Sequence, residues 1–446
     1  MVYLHLGTAG RGNCGNCYEA QRRRTLTIQV RDHQQRTDRT GVDTGYLYVE
    51  HHHPAPAGRV ATSFAWGPGR ARVERAVRRA TSVTTFSRSQ ERMKRFLMTL
   101  TIGALAVFST QWQTRGAVLQ SPDGSPSHRF EELADGVYFA VGTGSMTVMS
   151  NSLVIINDDH VMLVDTAVLP AAARGLVEGI KTLTDKPIRY VFNTHYHFDH
   201  AHGNQIFGDD VEIIGHDFVR TMLMSDVLDQ RTNRSFTEGI PAEIEQKKTR
   251  LGQTTDTAER QQMEMQLRIQ EAHWEAIQET RPTPPNVTYS DTMTLVKGGR
   301  EVQLHFPGRG HTGGDTLVFL PEERIVFTGD FFVGRPGGGG LPYMGDGYVE
   351  EWSAALDRLR ALDFDIMVPG HGVPFGEREQ IDNLQAYLRD LNTQVTALHA
   401  QGVSALDAAA RVDLSDHADH YGPRVERVDP RAVLRMYELL QVKMPR

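Results

Sequence analysis

The sequence predicts an α/β fold in which helices are layered against β-sheets. Two observations support this fold class. Short apolar segments rich in β-branched and aromatic residues alternate along the chain with longer segments that have helical periodicity. The histidines and aspartates able to carry chemistry come directly after apolar segments, as expected for loops at the ends of strands. Together they predict a layered domain whose loops carry the function.

This domain is predicted to extend over residues 130–396. A turn sequence, Asn157-Asp-Asp159, separates two of its first strands, and an apolar stripe through Leu176, Ile180 and Leu183 indicates a helix. Strands are expected at residues 136–141, 152–157, 161–165, 188–192, 211–214, 302–306, 316–320, 325–328 and 366–368. Helices are expected at residues 170–183, 349–362 and 380–398.

A polar segment interrupts this alternation at residues 216–279. It is rich in Gln, Glu and Arg and has no strand pattern, so we expect a helical insertion of two or three helices. The helical insertion either covers the mouth of the functional site or is a solvated surface feature, and the sequence leaves both open. Residues 397–446 are predicted to be a helical C-terminal extension, with helices near 405–412 and 431–440.

The first 129 residues are predicted to lie outside the domain. Residues 1–92 have arginine without lysine and no sustained apolar period, so we expect a disordered or non-native upstream extension. After Met93, two basic residues precede an apolar run, which predicts a signal peptide at 93–117 and translation from Met93. A basic leader before a membrane anchor is the alternative. Residues 118–129 are a predicted linker, and the protein is expected to be periplasmic or secreted.

Charge is distributed unevenly along the chain. Residues 1–92 hold 15 arginines and 7 acidic residues, a formal charge of +8, so the remainder has −15 within a total of −7. An acidic main body is unfavourable for binding nucleic acid or an anionic membrane surface. We therefore expect a small-molecule substrate, no nucleic-acid partner and no stable membrane association after signal cleavage.

Both cysteines lie in the first 92 residues, at Cys14 and Cys17. The main body therefore has no disulfide, thiolate ligand or cysteine nucleophile. A single CxxC pair near three histidines is too weak a pattern to predict a zinc site.

The strongest functional signal is the segment Thr194-His-Tyr-His-Phe-Asp-His200, which we call the metal loop. Three imidazoles and a carboxylate in six residues would be costly to bury without partners. A tight loop after a strand can turn His195 and His197 toward one ion, and Asp199 and His200 toward a second. These ligands suit zinc, although iron or manganese accept similar sets.

Three further candidate ligands each follow a predicted strand. His311 lies in the turn Gly-Arg-Gly-His-Thr-Gly-Gly-Asp, Asp330 follows Phe-Thr-Gly, and His371 lies in Pro-Gly-His-Gly. Glycine lets the backbone approach such a site closely. The glycine-rich run at residues 334–340 is either a loop that contacts substrate or a connector.

These motifs in this order resemble the metallo-β-lactamase superfamily. The resemblance implies an αββα four-layer sandwich with the metals at one edge between the sheets. It also implies that Asp165, in a Val-Asp-Thr motif after a strand, supports the metal loop. By this resemblance two zinc ions would be bound, the first by His195, His197 and His311, the second by Asp199, His200 and His371, with Asp330 bridging them.

Other residues near the motifs have less certain roles. One lactamase subclass uses a cysteine for the second metal, whereas this chain has Asp330, as in the glyoxalase II, lactonase and general hydrolase branches. His202 is expected to be an ordinary polar loop residue, or to support the ligands or face the substrate. Tyr196, Arg309 and Asp315 flank ligands and can support them.

The leading functional hypothesis is an exported dinuclear zinc hydrolase. A metal-bound hydroxide would attack an ester, lactone, thioester or amide, with β-lactams among the candidates. Asp199 is the expected catalytic residue, because it can orient the nucleophile and relay its proton. The alternatives are an iron-dependent oxidoreductase of the same fold and a non-catalytic metal-binding protein.

Overall fold

The computed structural model describes residues 124–443 except 336–337, 423–424 and 426–427, and before them only the short strands within residues 2–3, 27–28, 45–50 and 61–66. The chain forms two compact units, 1–107 and 108–446. In the first unit two antiparallel strand pairs are described, Val2–Tyr3 with Thr27–Ile28 and Gly45–Glu50 with Ala61–Trp66. The predicted signal peptide (93–117) and the cysteine pair lie outside the described residues.

Seven strands form the first sheet of the larger unit, and their order across the sheet follows the chain. The first three neighbouring pairs are antiparallel and the last three are parallel. The strands are β1 (His128–Ala134), β2 (Val137–Gly142), β3 (Ser152–Ile156), β4 (Val161–Val164), β5 (Ile188–Phe192), β6 (Glu212–His216) and β7 (Val287–Tyr289).

Five strands form the second sheet, again in chain order. All neighbouring pairs are antiparallel except the last, which is parallel. The strands are β8 (Thr292–Lys297), β9 (Arg300–His305), β10 (Leu317–Leu320), β11 (Ile325–Gly329) and β12 (Ile366–Pro369).

The two sheets pack face to face, and helices cover their outer faces. Alternate residues of one strand point to opposite faces. In β4, Met162 and Val164 therefore lie in the core between the sheets, whereas Leu163 packs outward beside Leu176. The second sheet has the same division, with Phe319 on its outer face. This arrangement is the predicted αββα sandwich.

Helices α1 (Pro170–Ile180) and α2 (Phe198–Ala201) follow β4 and β5. A proline at the first position of α1 suits the start of a helix. The outer face of the second sheet is covered by α7 (Val349–Ala361) and α8 (Glu379–Ala400), together with C-terminal helices. Those C-terminal helices are α9 (Ala405–Arg411), α10 (Ala418–Tyr421) and α11 (Pro430–Lys443).

The helical insertion connects the parallel strands β6 and β7. It contains four α-helices rather than the two or three predicted, because the chain breaks at residues 224–230, 238–239 and 254–256. Asp256 caps the longest of them by accepting a hydrogen bond from the backbone of Glu259. The helices are α3 (Asp217–Leu223), α4 (Arg231–Thr237), α5 (Ile240–Gln253) and α6 (Thr257–Ile277).

Several strands differ from the sequence prediction. In the larger unit five described strands were not predicted: β1, β7, β8 and the short antiparallel pair Gly334–Arg335 and Gly338–Gly339. Within the part of the chain that the structure describes, no helix has the length and apolar character that a membrane crossing requires.

Candidate metal centre

The seven predicted ligands converge where loops leave the two sheets. The metal loop leaves β5, and the other three ligands follow β9, β11 and β12. Their ligand atoms form two groups, and within each group all atoms lie within 4.8 Å of one another. One group is His195, His197 and His311, and the other is Asp199, His200, Asp330 and His371.

In the first group, His197 and His311 face each other through ring nitrogens that carry no hydrogen. Nδ1 of His311 donates to the carbonyl oxygen of Tyr343 at 2.8 Å, and Nε2 of His197 donates to Asp346 at 3.0 Å. Because a neutral imidazole carries one N–H, the other nitrogen of each ring has a lone pair. These two nitrogens are 2.9 Å apart. Such lone pairs repel each other unless a cation lies beside them, so this geometry fits a pair of metal ligands.

His195 completes the first group. The hydroxyl of Thr194 donates to Asp165 at 2.7 Å and therefore accepts from Nδ1 of His195 at 3.1 Å. Nε2 of His195 is thus the bare nitrogen, and it is buried without a hydrogen-bond partner among the described residues. Burial lowers the pKa of His195 well below its usual value and that of His311 to about 3. Neutral imidazoles of this kind are zinc ligands.

The second group combines two carboxylates with two imidazoles. Nε2 of His371 lies 3.1 Å from Asp199 and 3.2 Å from Asp330. Nε2 of His200 lies 3.2 Å from Oδ1 of Asp330, but neither atom has a hydrogen bond within the described chain. The other nitrogen of His200 is held by Asp165 at 2.7 Å. Buried polar atoms usually have partners, so two facing atoms without one fit a pair of metal ligands.

Asp330 faces both groups. Its Oδ1 points to His200, whereas its Oδ2 lies 3.7 Å from Nε2 of His311 in the first group and 3.2 Å from His371 in the second. A carboxylate between two sets of ligands can bridge two ions. The resemblance implies this bridging role for Asp330, and the role stays a prediction.

The second group needs positive charge. Although burial favours the neutral forms, Asp199 and Asp330 raise the pKa of His371 to about 10 and that of His200 well above its usual value. Burial likewise opposes ionisation of the carboxyls, yet the two imidazoliums lower the pKa of Asp199 to about 2 and that of Asp330 well below its usual range. Protons on the histidines supply this charge when no cation is bound, and a divalent cation would replace them.

Two residues outside the ligand set fix the shape of the centre. Asp165 is fully buried, accepts from the backbone and hydroxyl of Thr194, and holds His200, as the resemblance implied. Its backbone has a positive φ of 59°, which few residues other than glycine adopt. At Gly370 a Cβ would meet Asp330 and lie 2.8 Å from Cε1 of His200. Only glycine fits there without moving ligands.

Asp346 was not predicted. Its Oδ2 accepts from Nε2 of His197 at 3.0 Å, from the hydroxyl of Tyr196 at 2.9 Å and from the hydroxyl of Thr232 in the helical insertion. It therefore orients a ligand and connects the insertion to the centre. Asp346 lies 149 residues after His197, in a Gly-Asp-Gly turn that resembles any surface turn. The sequence alone therefore does not predict this contact.

The remaining flagged residues have differing environments. His202 is 3% exposed and so is not an ordinary polar loop residue; its Nε2 lacks a hydrogen-bond partner in the described part of the chain. Arg309 pairs with Glu351 at the surface. Asp315 accepts only from Thr312 within its own turn, and burial raises its pKa to about 7. The glycine-rich run begins beside the centre, since the backbone N–H of Gly334 donates to the carbonyl of His371.

Known proteins share this sequence pattern. The Pseudomonas linear primary-alkylsulfatase is 25% identical over 272 residues, covering 59% of this chain and 50% of that protein. The alpha subunit of Nocardioides 2,4-dinitroanisole O-demethylase is 24% identical over 281 residues, 62% of this chain and 66% of that protein. The Bacillus cereus type 2 metallo-beta-lactamase is 34% identical over 77 residues, 17% of this chain and 30% of that protein. The chain thus spans only part of each relative's length, and half of the alkylsulfatase.

Among solved structures, the metallo-beta-lactamase from Pontibacter korlensis aligns with a TM-score of 0.41 and 18% identity, covering 59% of this chain and 99% of that one. The sequence profile of the metallo-beta-lactamase superfamily matches residues 146–371, slightly more than half of the 446 residues. The matched range contains all seven predicted ligands, and the prediction of a metal-dependent hydrolase agrees with these matches. The chain belongs to the metallo-β-lactamase superfamily.

Proposed function

We propose that this chain is an exported hydrolase that uses two zinc ions to cleave an ester, lactone, thioester or amide bond in a small substrate. The observation that carries the proposal is the position of Asp330 between the two groups of ligand atoms. A site for one ion would not need a carboxylate facing two separate sets of nitrogens. Two metal ions at close distance lower the pKa of a water and polarise the bond to be cleaved.

Asp199 is the group we assign to proton transfer. Its carboxylate lies 3.1 Å from Nε2 of His371. The side chain of His371 is 35% exposed, the largest exposure among the seven candidate ligands, so this pair lies next to the opening of the centre. At that position Asp199 can accept the proton of the attacking water and return it to the leaving group.

The relatives suggest substrates to test. The alkylsulfatase match covers 59% of this chain, whereas the lactamase match covers 17%. A sulfate ester is therefore a second candidate, because the alkylsulfatase match is much the longer of the two. β-Lactams remain candidate substrates because of the shorter lactamase match.

Export rests on the predicted signal peptide at residues 93–117, and with it the expected periplasmic or secreted location. A small-molecule partner, rather than nucleic acid or a membrane, is proposed from the −15 charge of residues 93–446. Expression from Met93 followed by N-terminal sequencing of the exported protein tests the signal. An uncleaved protein that stays in the cytoplasm would contradict export.

The function is tested by metal analysis and a substrate panel on the same preparation. We expect about two zinc ions per chain and hydrolysis of at least one among nitrocefin, lactones, thioesters, p-nitrophenyl esters and alkyl sulfates. Asp199→Asn should lower kcat by roughly 10²–10⁴-fold, the usual contribution of a general base. The control is Asp209→Asn, which alters an exposed carboxylate in the same connection between β5 and β6. This variant should have the kcat of the wild type.

Other outcomes point elsewhere. Iron without hydrolysis of any panel member would favour the oxidoreductase alternative. Fewer than one metal per chain after reconstitution would contradict the dinuclear centre. Equal activity of Asp199→Asn and wild type would remove Asp199 from the mechanism.

A further inference from the structure

Phe236 is a large apolar side chain that the helical insertion exposes beside the candidate metal centre. It lies in α4 and is 40% exposed. Its ring centroid is 5.3 Å from that of Phe198 and 5.7 Å from that of Tyr343. The three rings, Phe198, Phe236 and Tyr343, form one contiguous set that we call the aromatic surface.

The aromatic surface is connected directly to the ligands. Phe198 lies between His197 and Asp199 in the metal loop. The carbonyl of Tyr343 holds His311, and the ring centroid of Tyr343 is 6.1 Å from that of His197. A single intervening residue, Phe198 or Tyr343, therefore separates Phe236 from candidate ligands of both groups.

The position of Phe236 is fixed by polar contacts that other residues of its helix make. Thr232, one turn earlier in α4, contacts the hydroxyl of Tyr343 at 3.1 Å and donates to Asp346. Ser235 accepts a hydrogen bond from Arg431 of the C-terminal helix. A single exposed phenylalanine is common on protein surfaces. Here the backbone that carries it is anchored to the centre, so the ring is held where a bound substrate would pass.

The charge near these rings favours an uncharged group. The guanidinium of Arg431 lies 4.7 Å from the ring of Tyr343 and 5.5 Å from that of Phe236. Arg431 is already paired with Asp429, its Nη2 lying 2.7 Å from the carboxylate. The aromatic surface is thus apolar, and Asp429 neutralises the charge of the neighbouring Arg431.

We propose that the aromatic surface binds an apolar alkyl or aryl group of the substrate, and that Phe236 determines how strongly this group is bound. The proposal rests on the proposed hydrolase function, and it names the substrate class. A second apolar side chain, Met149, is 43% exposed in the loop whose Ser150 donates to the carbonyl of Asp199. It follows Val148, which shares a buried cluster with Phe198. A second apolar side chain is thus exposed on a loop that contacts the metal loop.

Binding of n-alkyl hydroxamic acids tests the proposal without depending on turnover. Isothermal titration calorimetry of the zinc-loaded protein would compare the four-, six- and eight-carbon compounds. If added methylenes are buried on the aromatic surface, affinity should rise about fourfold per methylene, equivalent to about 0.8 kcal/mol. Phe236→Ala should reduce that gain to less than about twofold per methylene.

Two further variants separate a binding role from general damage. Phe236→Leu retains an apolar side chain and should keep most of the gain per methylene. Met265→Ala alters another exposed residue of the insertion, 43% exposed on α6, where Met263 and Leu267 face inward instead. It should bind the series as wild type does. An unchanged chain-length dependence in Phe236→Ala, or none in the wild type, would overturn the proposal.

This test can fail separately from the proposed function. Chain-length-dependent binding without hydrolysis of any substrate in the panel would contradict the hydrolase and leave the aromatic surface supported. Hydrolysis of short and long acyl esters with equal kcat/KM, together with flat hydroxamate affinities, would contradict the aromatic surface alone.

Discussion

Asp346 provides the sharpest test of how this centre is built. It is not a predicted ligand, yet one of its oxygens accepts from a ligand, from a neighbouring tyrosine and from the helical insertion. Replacing it with Ala removes all three acceptor contacts. Replacing it with Asn removes the charge but leaves an oxygen that can accept some of them. Both variants should therefore weaken zinc binding, Ala more than Asn.

The size of the effect follows from the bond to His197. A hydrogen bond to a charged group contributes about 1.5–3 kcal/mol. This hydrogen bond orients His197 so that its Nδ1 points toward the ion. Losing it should therefore lower the affinity for zinc roughly 10–100-fold. Asp346→Ala should lie near the upper end of this range and Asp346→Asn near the lower end. Stability should fall too, because Thr232 and Tyr196 also lose their acceptor.

Competition with a chromophoric zinc chelator measures both dissociation constants, and thermal unfolding reports whether each variant is folded. Asp365→Asn is the control, since Asp365 pairs with Arg324 at the surface and is 66% exposed. It should leave zinc affinity unchanged. Folded Asp346 variants that bind both ions with wild-type affinity would refute the reasoning that this carboxylate orients His197.

Three other predictions follow from the same contacts. Gly370→Ala should weaken binding of the second ion at least 10-fold, because its Cβ would displace Asp330 and His200; Gly252→Ala, where a Cβ meets nothing within 4 Å, is the control, and equal zinc stoichiometry in both would contradict the close fit. Chelation with EDTA should lower the melting temperature, since zinc at 1,000 times its dissociation constant stabilises the folded state by about 4 kcal/mol; a melting temperature independent of zinc would argue against a built site. Burial lowers the pKa of His128 to about 4, so the unfolded chain takes up the proton first as the pH falls. The folded state should therefore lose about 2 kcal/mol between pH 8 and pH 5 through this residue, and His128→Gln should show a smaller loss in urea unfolding at the two pH values.

The sequence predicted the strands that are buried on both faces. The strand predicted at 161–165 is observed at Val161–Val164, because an uninterrupted apolar run between polar residues has few other interpretations. β1, with the sequence His-Arg-Phe-Glu-Glu-Leu-Ala, lies at an edge of its sheet and carries polar residues on its exposed side. Such strands are stabilised by their neighbour rather than by their own composition, so a local pattern misses them.

The candidate ligands stand out in the sequence for a different reason. Histidines and aspartates in tight glycine-rich turns are costly unless they share a function, so each motif is visible locally. The contacts that orient them are not visible in this way. Asp346 and Thr232 are ordinary residues in sequence, and only the folded chain brings them to His197. The sequence thus indicates the candidate ligands, but it does not indicate the hydrogen bonds that orient them.

Topology explains why the helical insertion reaches the centre. β4, β5 and β6 are parallel neighbours, so their carboxyl ends lie at the same edge of the first sheet. Asp165 follows β4, the metal loop follows β5, and the insertion follows β6. Whatever length of chain follows β6 must start beside the metal loop before it crosses to β7. The insertion can therefore change in sequence and alter what contacts the substrate, through residues such as Phe236, while the ligands stay on their own strands. On this reasoning, substitutions on the exposed face of α4 should change substrate preference without changing zinc content, and a parallel loss of both would mean that α4 supports the ligands themselves.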